Sequence, residues 1–134
     1  MVWAADIGAF FVGKYFGGPK MAPRISPNKT WAGLGGGCDF AGVIAILFFC
    51  VNVLVSPEAV FSWMGVVLIF VLGVVIALAG QAGDLLISAM KRKTGVKDTG
   101  TLIPGHGGLL DRIDSMLLAA PVFYVLFSLF GIDL

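Results

Sequence analysis

The chain has 134 residues, of which 58% are hydrophobic and 13% charged, with a formal net charge of +1 and a mean hydropathy of +0.97. Soluble domains carry about a quarter of their residues as charged side chains, so this composition excludes an ordinary soluble domain and defines an integral membrane protein. The near-neutral balance by itself predicts no partner, and no nucleic acid is expected.

Residues 1–13 are apolar. At ~1.5 Å per residue a helix of that length reaches only about 20 Å, too short to span the hydrocarbon core, and it reads as the end of a truncated helix. A signal peptide is the competing reading, but no positive n-region precedes the run and Asp6 sits inside it.

A first polar loop follows, with Lys14, Lys20, Arg24 and Lys29 and the run Ser26-Pro27-Asn28-Lys29-Thr30-Trp31. A basic loop with a Trp anchor attracts anionic headgroups whether or not it does chemistry. On the residues alone, Lys29 serves lipid attraction and substrate contact equally well.

The first complete span is predicted over residues 31–55. Gly33, Gly35, Gly36 and Gly37 open it, where small residues let helices approach closely, and packing is favoured over ligand contact. Cys38 and Cys50 on this helix lie about 18 Å apart along its axis, which excludes a disulfide between them. Neither belongs to a Cys/His set with zinc spacing, and both read as packing residues.

A second span is predicted over residues 59–82. If its helix continues, Asp84, Ser88 and Lys91 fall at i, i+4 and i+7, within about 40° on one face, with Arg92 beside them. A solvated helix end with snorkelling cations is the plain alternative. Against it stands Asp84, at a boundary where a carboxylate is costly unless partnered or functional.

The loop that follows holds Lys93, Lys97, Asp98 and the Pro104-Gly105-His106-Gly107-Gly108 turn. His106 alone is weak evidence for catalysis. Gly105, Gly107 and Gly108 lack Cβ atoms, however, so backbone N–H groups can approach an anion, and the next helix directs its positive dipole end there. This reads as a phosphate-approach turn, and it is not a Walker A loop because the Gly-Lys-Ser/Thr ending is missing.

Asp111, Arg112 and Asp114 precede a third span predicted over residues 115–132. Acids at a helix N-terminus are explained by capping and dipole compensation, which suffices for Asp111. Two carboxylates flanking Arg112 after a glycine-rich turn ask for more. Mg²⁺ takes oxygen ligands, commonly one or two carboxylates with water and substrate phosphate. Asp84 and Asp111 supply such a pair if the two helix ends meet. Asp98 and Asp114 are further candidates for the metal, or orient Lys97 and Arg112.

All nine Lys and Arg fall in the first and third loops, and none in Ser56-Pro57-Glu58. Two crossings separate these loops, so they share a side, and the positive-inside rule assigns it to the cytoplasm. The expected fold is an all-α polytopic transmembrane bundle: three complete spans, a truncated N-terminal helix and polar cytoplasmic loops, in one membrane-embedded domain over residues 1–134.

From Ser88 through Lys91-Arg92, Lys97-Asp98, Pro104 to Gly108 and Asp111-Arg112-Ile113-Asp114, the chain closely resembles the signature of the phosphatidate cytidylyltransferases, or CDP-diacylglycerol synthases. The Ser-Pro-x-Lys-Thr-Trp element over residues 26–31 and Asp6 resemble the same family. The family often carries Glu after this Trp, where Ala32 stands here. Members are about twice this length, so the resemblance implies that the chain is their C-terminal catalytic half.

The resemblance implies transfer of CMP from CTP to phosphatidate, giving CDP-diacylglycerol and pyrophosphate, with Mg²⁺ as cofactor and the question of a second cation open. The implied catalytic residues are Asp84, Lys91, Arg92, Lys97, His106, Asp111 and Arg112. Ser26, Lys29, Thr30, Ser88, Gly105, Gly107 and Gly108 are the expected substrate-binding positions, and Asp84 and Asp111 the first metal ligands. The expected partners are CTP, phosphatidate and membrane lipids, with a homodimer as a further candidate. The expected location is a bacterial inner membrane, with the active site on its cytoplasmic face.

Two enzyme classes and one non-enzyme class compete. A CTP-dependent polyprenol or phytol kinase shares parts of the basic and glycine-rich pattern, whereas the aspartate motif of CDP-alcohol phosphotransferases is missing. Asp6, Asp39 and Asp84 in or near apolar helices could instead mark an ion or proton pathway.

Overall fold

The computed structural model describes residues 1–56, 61–95 and 110–129, apart from the side chains of residues 110–112. Its described residues form four helices and one short hairpin: α1 (Val2–Phe16), β1 (Lys20–Ala22), β2 (Ser26–Thr30), α2 (Trp31–Val55), α3 (Trp63–Lys93) and α4 (Leu110–Leu129). Each helix packs on the next in sequence, α1 on α2, α2 on α3 and α3 on α4.

The core of this bundle inverts that of a soluble protein. Ala5, Ala41 and Ala77 form its buried cluster, while Phe10, Phe48, Leu54, Val67 and Tyr124 are exposed. Water would penalise such a surface and hydrocarbon would not, so small residues are free to line the helix contacts. Two helices, Trp31–Val55 and Trp63–Lys93, are long and apolar enough to cross a membrane. The end of the predicted third span lies outside the described residues; its apolar described part is Ile113–Leu129, within a helix that starts earlier than expected, at Leu110. At 15 residues, α1 reaches about 22 Å and falls short of the hydrocarbon thickness.

Glycine determines how closely α1 and α2 approach. A Cβ at Gly37 would lie 2.7 Å from the Ala5 carbonyl oxygen, and one at Gly33 would lie 2.8 Å from that of Ala9. Ala5 thus opposes Gly37 and Ala9 opposes Gly33, which makes the pair antiparallel. The same crossing recurs at Gly73 against Ala41 and at Gly83 against the Asp114 carbonyl. The packing role expected for the glycines at the start of α2 is thereby met at Gly33, Gly36 and Gly37, whereas Gly35 faces open space.

The all-α expectation needs one correction. The first loop is a two-stranded antiparallel hairpin, pairing Lys20 with Thr30 and Ala22 with Ser26 across an irregularity. Short strands with Pro23 in the turn between them and Pro27 within β2 show no period-2 pattern, so nothing in the sequence marked them. Gly17 and Gly18 at positive φ carry the chain from α1 into β1, and the Pro19 carbonyl accepts the Trp31 N–H at 3.2 Å. The hairpin therefore closes where α2 begins. Thr30 caps that helix, its hydroxyl accepting the Gly33 N–H at 3.1 Å.

Helix α3 continues beyond its apolar stretch to Lys93, as expected from its polar face, and ends at Thr94, with Gly95 at φ 72°. Lys91, Arg92 and Lys93 in its last turn complement the negative end of the helix dipole.

Gly37→Ala and Gly35→Ala change the same helix by the same methyl group, so their difference isolates the α1–α2 contact. Gly37→Ala is expected to destabilise the purified protein by about 1–2 kcal/mol through overpacking. Gly35→Ala is expected to leave stability unchanged or raise it by up to about 1 kcal/mol through helix propensity. Thermal unfolding in detergent checks both.

Candidate functional site

Lys29 on β2 reaches across to α3. Its ammonium forms an ion pair with the Asp84 carboxylate and donates a hydrogen bond to Gln81 Oε1 at 2.7 Å. Gln81 and Asp84 are three residues apart, so they share one face of the helix. Ser88, one turn further on, donates its hydroxyl proton to Asp84 Oδ1 at 3.2 Å. The hydroxyl and carboxylate expected on one edge of α3 are thus in direct contact, and Asp84 is partnered on both sides.

Two more carboxylates approach this group. Asp6 of α1 lies within electrostatic reach of Lys29 and Asp84. Asp114, near the start of α4, lies within hydrogen-bonding reach of the Asp84 carboxyl and within the field of Lys91. Its Oδ1 also accepts the backbone N–H of Ser115 at 2.7 Å. The close backbone contact at Gly83 brings α4 near enough for this. Carboxylates so close repel unless a cation or a shared proton lies between them.

Four elements, α1, β2, α3 and α4, therefore converge at one end of the bundle. Arg92 extends the same end outward, donating through Nε to the Ile25 carbonyl of the hairpin turn at 3.4 Å. The first loop and the C-terminal part of α3 consequently lie on one side, as the charge distribution predicted.

Beside the ion pair lies a cavity of about 240 Å³ with a mixed polar and apolar wall, lined by Asp6, Ala9, Phe10, Met21, Ser26, Asn28, Lys29, Thr30, Gly33, Leu34 and Gln81. Of the residues expected to bind substrate, Ser26, Lys29 and Thr30 sit together on its wall. Thr30 also has the structural duty of capping α2. A larger apolar groove, about 550 Å³, runs elsewhere along the bundle, past Trp3, Phe48, Ile76, Met116 and Phe123.

Lys97, Asp98, Gly105, His106, Gly107 and Gly108 lie outside the described residues. Asp111 and Arg112 lie on the first turn of α4, with their side chains also outside the description. Among the described residues no group of three or more His, Cys, Asp and Glu side chains is arranged to hold a metal ion. The Asp84–Asp114 approach nonetheless has the chemistry a hard divalent cation takes: two carboxylates from two helices, with Asp111 on the preceding turn. Asp114, a further metal candidate from the sequence, comes against Asp84, and the pairing of Asp84 with Asp111 lies outside the described side chains. Gln81 was missed by sequence reasoning, although an amide inside an apolar run, one turn before Asp84, was a readable signal.

Two antiparallel helix ends and a hairpin that together surround a lysine–carboxylate pair are features of a membrane protein whose polar chemistry lies at one end of its bundle. The chain matches the cytidylyltransferase family over residues 1–130 and belongs to it. It is 45% identical over 124 residues to a phosphatidate cytidylyltransferase of Rickettsia typhi, covering 92% of this chain and 54% of that protein. It is 44% identical over 131 residues to the Bacillus subtilis protein of the same name, covering 98% and 46%. With a phosphatidate cytidylyltransferase of Brucella suis it shares 43% identity over 131 residues, covering 98% and 45%. The chain thus spans about half the length of the relatives it matches.

Removing Lys29 strands Asp84 beside Asp114. The Lys29 and Asp84 side chains are 19% and 28% exposed, so the cost falls below that of a fully buried pair. Lys29→Met is expected to destabilise by about 1–3 kcal/mol. Adding Asp84→Asn should recover a large part of that loss, as a double-mutant cycle by chemical or thermal unfolding would show.

Proposed function

We propose that this chain carries the reaction centre for transfer of CMP from CTP to phosphatidate, yielding CDP-diacylglycerol and pyrophosphate. The observation that carries this reading is the contact between Lys29 and the Asp84–Ser88 edge of α3. Two segments far apart in sequence, each bearing part of the family pattern, meet at one point beside a cavity.

In this reaction a phosphate oxygen of phosphatidate attacks the α-phosphorus of CTP. The bond from that phosphorus to the oxygen bridging the β-phosphate breaks, and pyrophosphate departs with the electron pair. The protein has no covalent intermediate to form. It must hold two repelling anions in line and compensate the charge that grows on the leaving group.

Lys29, Lys91 and Arg92 lie at the end of the bundle where such anions would meet, and Lys97 and Arg112 are the further cations proposed for the clamp. Arg suits bidentate phosphate contact, and Lys serves as a mobile point charge. The glycine-rich turn over Gly105 to Gly108 would offer backbone N–H groups to phosphate, with His106 held among them. Ser26 and Thr30 add hydroxyls to the cavity wall.

Asp84 and Asp114, with Asp111 a turn away, are the residues that would hold Mg²⁺, which when bound supplies Lewis-acid stabilisation of phosphate charge. Lys29 balances part of that carboxylate charge. The positive-inside rule puts this end of the bundle at the cytoplasmic face of a bacterial inner membrane.

Membranes carrying the chain, given phosphatidate, Mg²⁺ and CTP labelled on the α-phosphate, are expected to accumulate label in lipid. With γ-labelled CTP the label should appear in pyrophosphate instead. Label passing from the γ-position into lipid would make the protein a kinase and overturn the reading. Asp84→Asn and Asp111→Asn are each expected to lower pyrophosphate release by at least about 100-fold, and near-normal rates in both would remove the metal assignment.

A further inference from the structure

Charge alone does not aim Lys29. Its flexible four-carbon stem enters a group in which Asp84 pairs with it and Asp6 lies within reach, so a purely electrostatic lysine could lean toward either carboxylate. Gln81 removes that freedom. A lysine ammonium only donates, so the amide group facing it at 2.7 Å is the carbonyl oxygen. Gln81 belongs to the apolar helix α3 rather than to the hairpin, and placing an amide there is costly unless it is hydrogen-bonded. Together Gln81 and Asp84 grip the ammonium from one helical face, and both Lys29 and Gln81 line the cavity of about 240 Å³.

We infer that Gln81 is a positioning residue, whose carbonyl fixes the Lys29 ammonium at the cavity wall for contact with a substrate phosphate. This rests on the cytidylyl-transfer reading only for the identity of the two phosphate-bearing ligands. The neutral amide matters: Asp84 already pairs with the lysine, and a second carboxylate at this place would also hold it but would leave net negative charge where an anion must bind. The cavity falls below the ~300 Å³ at which sites for whole drug-sized ligands begin, which suits a phosphate group rather than an entire nucleotide. That phosphate comes from the lipid or from CTP.

The test measures equilibrium binding by ligand-induced thermal stabilisation of the purified chain in nanodiscs, so that turnover is not required. Short-chain phosphatidate and CTP are titrated separately against wild type, Gln81→Met, Gln81→Glu, Lys29→Met and the Gln81→Met/Lys29→Met double variant. Gln81→Met is expected to weaken one ligand about tenfold, the scale of a lost charge-assisted hydrogen bond, and to leave the other within about twofold. Which ligand weakens identifies the source of the phosphate. Gln81→Glu should weaken the same ligand at least as much.

In the Lys29→Met background, Gln81→Met should add nothing, because the amide acts through the lysine. Unchanged affinity for both ligands in Gln81→Met overturns the inference. So do equal losses for both, or losses that multiply in the double variant, since these mark a general packing or independent role. Wild-type protein that binds neither ligand would instead overturn the functional reading itself.

Discussion

A single lysine joins the polar end of this protein. Lys29 leaves a short hairpin and is received on α3 by Asp84 and Gln81, while Asp6 approaches from α1 and Asp114 from α4 through Asp84. In hydrocarbon or at its edge, none of these groups is tolerated alone, and each is stable chiefly because the others are there. The position of the hairpin and the cavity beside it follow from that mutual dependence.

The bundle is what permits the approach. Many large apolar side chains face outward and the closest helix contacts are made at Ala and Gly, so backbones come close enough for side chains on four separate elements to meet. At Gly83 this is explicit: the residue beside Asp84 leaves room for the Asp114 carbonyl, which brings α4 near enough for the two carboxyls to meet. Glycine packing and site chemistry are therefore one design rather than two.

Several features were legible in the residues. The first span, residues 31–55, coincides with α2, because a long apolar run between a capping Thr and Ser-Pro has one stable form in a membrane. The continuation of α3 was readable from Asp84, Ser88 and Lys91 at helical spacing, and the Ser88–Asp84 hydrogen bond follows from that spacing. The hairpin was not legible: its strands are held by register with each other and by Pro19 and Arg92 contacts, and Pro23 and Pro27 remove the local strand signal. The partner of Gln81 was hidden for a related reason, since Lys29 lies 52 positions away.

What the sequence by itself determined is a membrane protein with its cations on one side, its glycines at helix contacts and a recognisable family pattern. These are properties of composition and of spacing within single helices, where neighbours in sequence are neighbours in space. Only the tertiary structure decided that Lys29 belongs to Asp84 and Gln81, and that Asp114 comes against Asp84. Those pairings depend on how closely antiparallel helices approach, a distance fixed by glycines facing backbone on another helix, which no local pattern encodes.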